Sequence, residues 1–141
     1  MSGLNSDIDK FIEILKTKKI KNKKLPVSAP FHCKLMDKAT SIMRDKINNT
    51  NFEKPKNVII SNVTGSETQE IDKIKDLLIK QIESPVRWRE SVIYMIKNGV
   101  TNFIEIGPGK VLSGLVKRID KTINVNTINK LEDIKNIKLN D

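Results

Sequence analysis

Apolar positions in this chain form short stripes of helical period that alternate with short apolar runs of strand length. Ile8, Phe11, Ile12 and Leu15 recur at i, i+3, i+4 and i+7 behind Asn5 and Ser6, so residues 6 to 18 are expected to form an amphipathic helix. Leu25 to Ser28 read as a short extended segment that Pro30 interrupts. From about Lys34, the positions Leu35, Met36, Ala39, Ile42, Met43 and Ile47 give a second helical stripe that ends in the polar Asn48 to Asn51 stretch. Val58, Ile59 and Ile60 form a continuous apolar run, the pattern of a buried parallel strand, and Thr64-Gly65-Ser66 turns the chain after it. Ile71, Ile74, Leu77, Leu78 and Ile82 predict a third helix. It should stop at Ser84-Pro85, because the residue before a proline is pushed out of the helical region.

Val92, Met95 and Ile96 carry helical spacing on to Gly99, Phe103 to Ile106 read as a strand, and Gly107-Pro108-Gly109 is a tight turn. Val111 to Ile119 then predict a helix, Val125 to Ile128 a strand, and residues 131 to 139 a last helix. Alternation of this kind argues for an α/β layered fold with a mainly parallel sheet. His32 falls in the turn between the extended segment and the second helix, and such loops are where α/β proteins place their chemistry.

Composition narrows the chemistry. Of 141 residues, 38% are hydrophobic, enough for a real core, and no apolar run approaches the roughly 20 residues that span a bilayer. The N-terminus lacks the basic-then-apolar order of a secretory signal, so the cytoplasm is the expected compartment, with no membrane partner. A single cysteine, Cys33, excludes an internal disulfide, and with a single histidine it excludes the usual Cys/His zinc patterns; no metal site is expected. Net charge is +9, and Lys16, Lys18, Lys19, Lys21, Lys23 and Lys24 crowd one stretch. A basic binding module for RNA or an acidic protein is one reading of that run. The chain is rich in Lys, Asn and Ile throughout, and its few aromatics do not interleave with the lysines, so nucleic acid is the weaker reading.

An unperturbed imidazole titrates near about pH 6.5, so a histidine in a loop such as that of His32 can take a proton from a hydroxyl or thiol and return it. Position alone favours a structural histidine over a base. Cys33 is a poor nucleophile for it, since neighbouring side chains seldom converge in hydrogen-bonding geometry; a small buried residue at a helix start is expected instead. The Gly107-Pro108-Gly109-Lys110 turn is no phosphate loop, because Ile104 and Val111 stand where a Walker motif needs Gly and Ser or Thr. No G-x-S-x-G elbow is present: Ser113 comes closest, with Val111 in place of the first glycine.

Three blocks in register change the picture: Leu25-Pro-Val-Ser-Ala-Pro-Phe-His-Cys-Lys-Leu-Met36, Gln81-Ile-Glu-Ser-Pro-Val-Arg-Trp88 with Glu90-Ser-Val92, and Phe103-Ile-Glu-Ile-Gly-Pro-Gly-Lys-Val-Leu-Ser-Gly-Leu115 with Lys117-Arg-Ile119. Together they resemble the bacterial malonyl-CoA:acyl carrier protein transacylases. The resemblance implies the C-terminal part of an α/β-hydrolase-like acyltransferase domain over residues 28 to 141, and over residues 1 to 27 the end of a ferredoxin-like small subdomain. It implies a ping-pong transfer in which a serine attacks the malonyl thioester, coenzyme A leaves, and the acyl group passes to the pantetheine thiol of acyl carrier protein. Malonyl-CoA would be a substrate, with no tightly bound cofactor.

In that family frame His32 matches the catalytic histidine and Gln81 the residue that orients it by accepting a hydrogen bond, through backbone or side chain. Phe31 is expected to wall the acyl site and to favour malonyl over α-methyl substrates, a discrimination of only about 1 to 3 kcal/mol. The family's serine elbow, oxyanion-hole groups and carboxylate-binding arginine precede the part matched here, and Arg87, Arg89 and Arg118 do not replace them. Met1 stands where the family chain is already inside its small subdomain, which points to an internal start, a split or decayed gene, or a truncated sequence. The expectation is a chain inactive by itself, with exposed apolar faces and strand edges, that either needs a complementary N-terminal chain or is a non-functional remnant.

Overall fold

The structure, a computed structural model, describes residues 1–135. It divides into two compact units, Met1–Arg87 and Trp88–Asp141.

The first unit opens with helix α1, Asn5–Thr17, whose stripe matches the expected period. Its end is closed by two backbone bonds, Lys19 N to Lys16 O at 2.9 Å and Ile20 N to Leu15 O at 2.9 Å, with Lys19 at φ 55°. That left-handed closing position usually holds glycine. The basic run that follows is not uniformly free: Lys16 pairs with Glu13 at 2.7 Å, and Lys24 reaches back to Asp9 at 2.6 Å. All four side chains stay largely exposed, so the pairs contribute little to stability.

The extended segment at Leu25 to Ser28 forms no strand. Val27 N turns back to Leu25 O at 2.9 Å, so the loop bearing His32 follows irregular chain and not the strand that the pattern suggested. A single 3-10 turn at Lys34–Met36 then leads into α2, Asp37–Asn49. Helix α3, Ile71–Gln81, packs on α2 and buries Ile74, Leu77 and Ile79. Lys75 of α3 donates to Asn48 O and Thr50 O at 3.1 and 2.9 Å, taking up carbonyls that the end of α2 leaves unpaired, and its ammonium lies 5.1 Å from the Phe52 ring centroid.

The apolar run at 58 to 60 differs from expectation. Its strand β1, Ile59–Ile60, is antiparallel, pairing Ile59 with Thr68 and Ile60 with Glu67 of β2, Glu67–Thr68. The reason is local: Gly65 at φ 67° reverses the chain, Gly65 N bonds Ser61 O at 2.8 Å, and the nearest partner is therefore the next few residues. Val58 and Ile59 are exposed rather than buried.

In the second unit the pattern and the structure agree closely. Helix α4 spans Trp88–Lys97, strand β3 Asn102–Ile106, helix α5 Val111–Ile119, strand β4 Asn124–Ile128 and helix α6 Leu131–Ile134. Strands β3 and β4 are parallel, in register from Asn102↔Asn124 to Ile106↔Ile128, with α5 as the crossover. Residues 136 to 139 of the expected last helix lie outside the described residues. Val92, Val116 and Ile123 form the buried core, against which Trp88, Met95, Ile96, Phe103, Ile119 and Val125 pack.

Both sheets have two strands, so every described strand has one unpaired edge. Large apolar side chains stand in solvent as expected, Leu25 and Val27 in the first unit and Ile106, at 77% exposure, and Val111 in the second. No described helix is long and apolar enough to cross a membrane.

Candidate active site

The loop that carries His32 is folded by its own atoms. Phe31 N bonds Ala29 O at 2.9 Å, the Cys33 thiol donates to Pro30 O at 3.1 Å, and Met36 N bonds Cys33 O at 3.0 Å. Between these closures His32 takes φ 63°, a left-handed conformation uncommon outside glycine, asparagine, aspartate and histidine. Strain of this kind persists only where the surroundings fix it. Its consequence is the direction of the ring. The Nδ1 atom of His32 lies 3.1 Å from the backbone carbonyl oxygen of Gln81, the last residue of α3.

A carbonyl oxygen only accepts, so Nδ1 carries the proton and donates it. In the neutral ring the bare lone pair is then on Nε2, and His32 is exposed, which leaves that nitrogen open to a reacting partner. The two residues named from the resemblance are therefore in contact, and the contact runs through the main chain of Gln81. Phe31, immediately before His32 in the loop, is 47% exposed. Cys33 is only partly buried, and its thiol is turned to Pro30 O within the loop. Gln81 also lines an open pocket of about 230 Å³ with Ile59, Ile60, Ile74 and Leu77. No titratable side chain lines it, so the pocket adds no acid or base to His32.

Other polar groups singled out by the structure are structural. Glu105 of β3 accepts from Leu112 N at 3.1 Å and Ser113 N at 2.7 Å, filling the positive end of α5, which has no side-chain cap of its own. The start of α5 is thus occupied from within the fold. The Ser113 hydroxyl beside it, and then the amides of Ser113, Leu112 and Val111, hold the Glu105 carboxyl below the ordinary glutamate range. Asp120 is likewise lowered, by the Thr122 hydroxyl and then the Thr122 amide. Asn129 Oδ1 accepts from Gly109 N, pinning the glycine turn to the end of β4. Nothing in the sequence pattern marks Glu105 or Asn129, because each acts across the fold on a backbone amide. Among the described residues no group of three or more His, Cys, Asp or Glu side chains could hold a metal ion.

A pH dependence follows. A native pKa below the unfolded one means that ionised Glu105 and Asp120 stabilise the second unit above the ordinary carboxylate range. That contribution falls away as pH drops through this range towards the native values. Acid titration followed by the fluorescence of Trp88 should show it, and Glu105→Gln should flatten the part that Glu105 carries. An unchanged acid limb in that variant would mean that the carboxylate is not held by the helix start.

No protein-family model matches the chain. A Staphylococcus aureus protein named malonyl CoA-acyl carrier protein transacylase is 38% identical over 144 residues, which take in all of this chain and 46% of that protein. The chain thus spans about half the length of the curated relatives it matches. The crystal structure of malonyl CoA-acyl carrier protein transacylase from Clostridium perfringens superposes with a TM-score of 0.85 at 39% identity, over 92% of this chain and 41% of that one. A malonyl-transacylase solved in complex with its type II PKS acyl-carrier protein superposes with a TM-score of 0.87 at 31% identity, over 94% and 43%. Over its length, in sequence and in fold, the chain matches the C-terminal half of the malonyl CoA-acyl carrier protein transacylases.

Proposed function

We propose that this chain supplies the histidine half of a malonyl transfer site. His32 Nε2 takes the proton of a serine hydroxyl as that oxygen attacks the thioester carbonyl of malonyl-CoA, and the imidazolium returns the proton to the departing coenzyme A thiolate. The second half runs in reverse. Nε2 takes the proton of the carrier's pantetheine thiol, the thiolate attacks the serine ester, and the proton goes back to the serine oxygen. The observation that supports this reading is the Nδ1 bond to Gln81 O at 3.1 Å, which leaves the free lone pair of the neutral ring on Nε2. Acyl carrier protein as the acceptor is supported by the complex of a related transacylase with its carrier. Phe31 beside the base is the group that would crowd an α-methyl substituent. Malonyl-CoA enters as a substrate, and no step calls for a cofactor.

The serine, its oxyanion-hole donors and the cation for the malonyl carboxylate belong, in this reading, to an N-terminal portion with which these 141 residues combine in the cytoplasm. The exposed apolar residues and unpaired strand edges are the surfaces such a portion would cover. The test is to assay malonyl transfer to acyl carrier protein with this chain alone, with the serine-bearing N-terminal portion of a relative alone, and with both mixed. Transfer is expected only in the mixture. A mixture that assembles into a stable complex and yet transfers nothing would overturn the reading.

A further inference from the structure

The contact that aims His32 falls on a backbone carbonyl that takes no amide from the turn after α3, and the sequence there shows why. The last carbonyls of a helix lack intrahelical partners, and the amides of the next turn normally compete for them. Here those amides all go elsewhere. Ile82 N bonds Ile79 O at 3.3 Å, while Glu83 N and Ser84 N both bond Lys80 O, at 3.2 and 3.0 Å. The next residue, four beyond Gln81 and therefore the one whose amide a continuing helix would place on Gln81 O, is Pro85, which has no N–H. A proline also disfavours helical conformation at the residue before it, and by Arg87 the chain has turned to bond Asn62 O at 2.9 Å.

We infer that Pro85 is a positioning residue for His32: by withholding an amide at the fourth place after Gln81, it leaves that carbonyl for Nδ1 and so sets which ring nitrogen is the base. The catalytic consequence rests on the proposed transfer role, whereas the effect on the ring does not. Replacement by alanine adds an N–H four residues beyond the end of α3, where the next helical bond would run to Gln81 O. The new amide then competes with the ring for Gln81 O along the helical direction, the Nδ1 bond weakens, and His32 shifts toward the Nε2–H tautomer that an unrestrained imidazole prefers.

His32 is the chain's only histidine, so ¹⁵N spectra of this protein read its tautomer without ambiguity. At a pH where the ring is neutral, the unaltered chain is expected to show Nδ1 protonated and coupled through the hydrogen bond to the Gln81 carbonyl carbon. Pro85→Ala should shift the majority to Nε2–H with the helix content of α3 retained, and Gln81→Ala, which keeps the carbonyl, should not. A residue that merely stabilised the loop would leave the tautomer alone when replaced. A folded Pro85→Ala that keeps Nδ1–H overturns the inference. Should that variant unfold, the unaltered chain decides: an Nε2–H ring, or no coupling to the Gln81 carbonyl, overturns it as well. Because the spectra involve no transfer, they separate this inference from the failure of the transfer reading.

Discussion

In a reaction reconstituted from this chain and the serine-bearing portion of a relative, His32→Ala lowers malonyl transfer by about a hundred- to ten-thousand-fold, the usual contribution of a positioned general base. The effect rests on one atom. With Nδ1 donating to Gln81 O at 3.1 Å, Nε2 is the single nitrogen left to accept a proton, and an alanine leaves the serine hydroxyl at its intrinsic, weak nucleophilicity. The loss should fall on both half-reactions, since the same nitrogen handles the serine and the pantetheine thiol, so hydrolysis of any acyl-enzyme should not rescue turnover. Gln81→Ala is the informative contrast. Its carbonyl survives, and transfer should change by no more than a few-fold. If Gln81→Ala matches the loss seen for His32→Ala, the side chain and not the main chain orients the ring. If His32→Ala retains most of the rate, His32 is not the base.

That contrast also marks how far the sequence can be read. The second unit is legible because its elements are determined locally and in order. Phe103–Ile106 and Val125–Ile128 are strand-length segments with apolar ends around a helical stripe, and a helical crossover leaves parallel pairing as the natural one for them. The run at Val58–Ile60 departs from the parallel strand expected of it, because a continuous apolar triplet carries no information about its partner. A turn built on Gly65 supplies an antiparallel one from the same hairpin. Leu25–Ser28 reads as extended, but a strand is a property of a ladder and no second strand meets it among the described residues. At the site, His32 and Gln81 are identifiable through the matching blocks. Which atom of Gln81 touches the ring depends on where α3 ends, and that is decided by Pro85 and the amides before it. The left-handed turn at His32 has no periodicity to announce it. Glu105 and Lys75 are invisible for a related reason, since each side chain serves backbone groups at the end of another element.

Val92→Asp should abolish the folded second unit. Val92 is fully buried, Val116 and Ile123 are the other buried members of its cluster, and Trp88, Met95, Ile96, Phe103, Ile119 and Val125 pack against it. A carboxylate placed there loses its hydration with no cation in the cluster to replace it, a cost of about 3 to 5 kcal/mol even after the group protonates or the structure relaxes. Small domains have only about 5 to 15 kcal/mol to lose, and a short unit with a two-stranded sheet stands at the low end of that range. The measurement has a built-in reporter: Trp88 is the chain's single tryptophan and packs against the cluster that holds Val92, so a urea titration followed by its fluorescence reads this unit and not the first. For the unaltered chain a cooperative transition is expected. Val92→Ala should lower the midpoint through a stability loss of about 2 kcal/mol from methyl burial and cavity, and Val92→Asp should start unfolded. Ile106→Asp, at a side chain 77% exposed, should stay within about 0.5 kcal/mol of the unaltered chain, which separates burial from charge as the cause. If Val92→Asp keeps the transition, the cluster around Val92 is not the core that holds β3, α5 and β4 together.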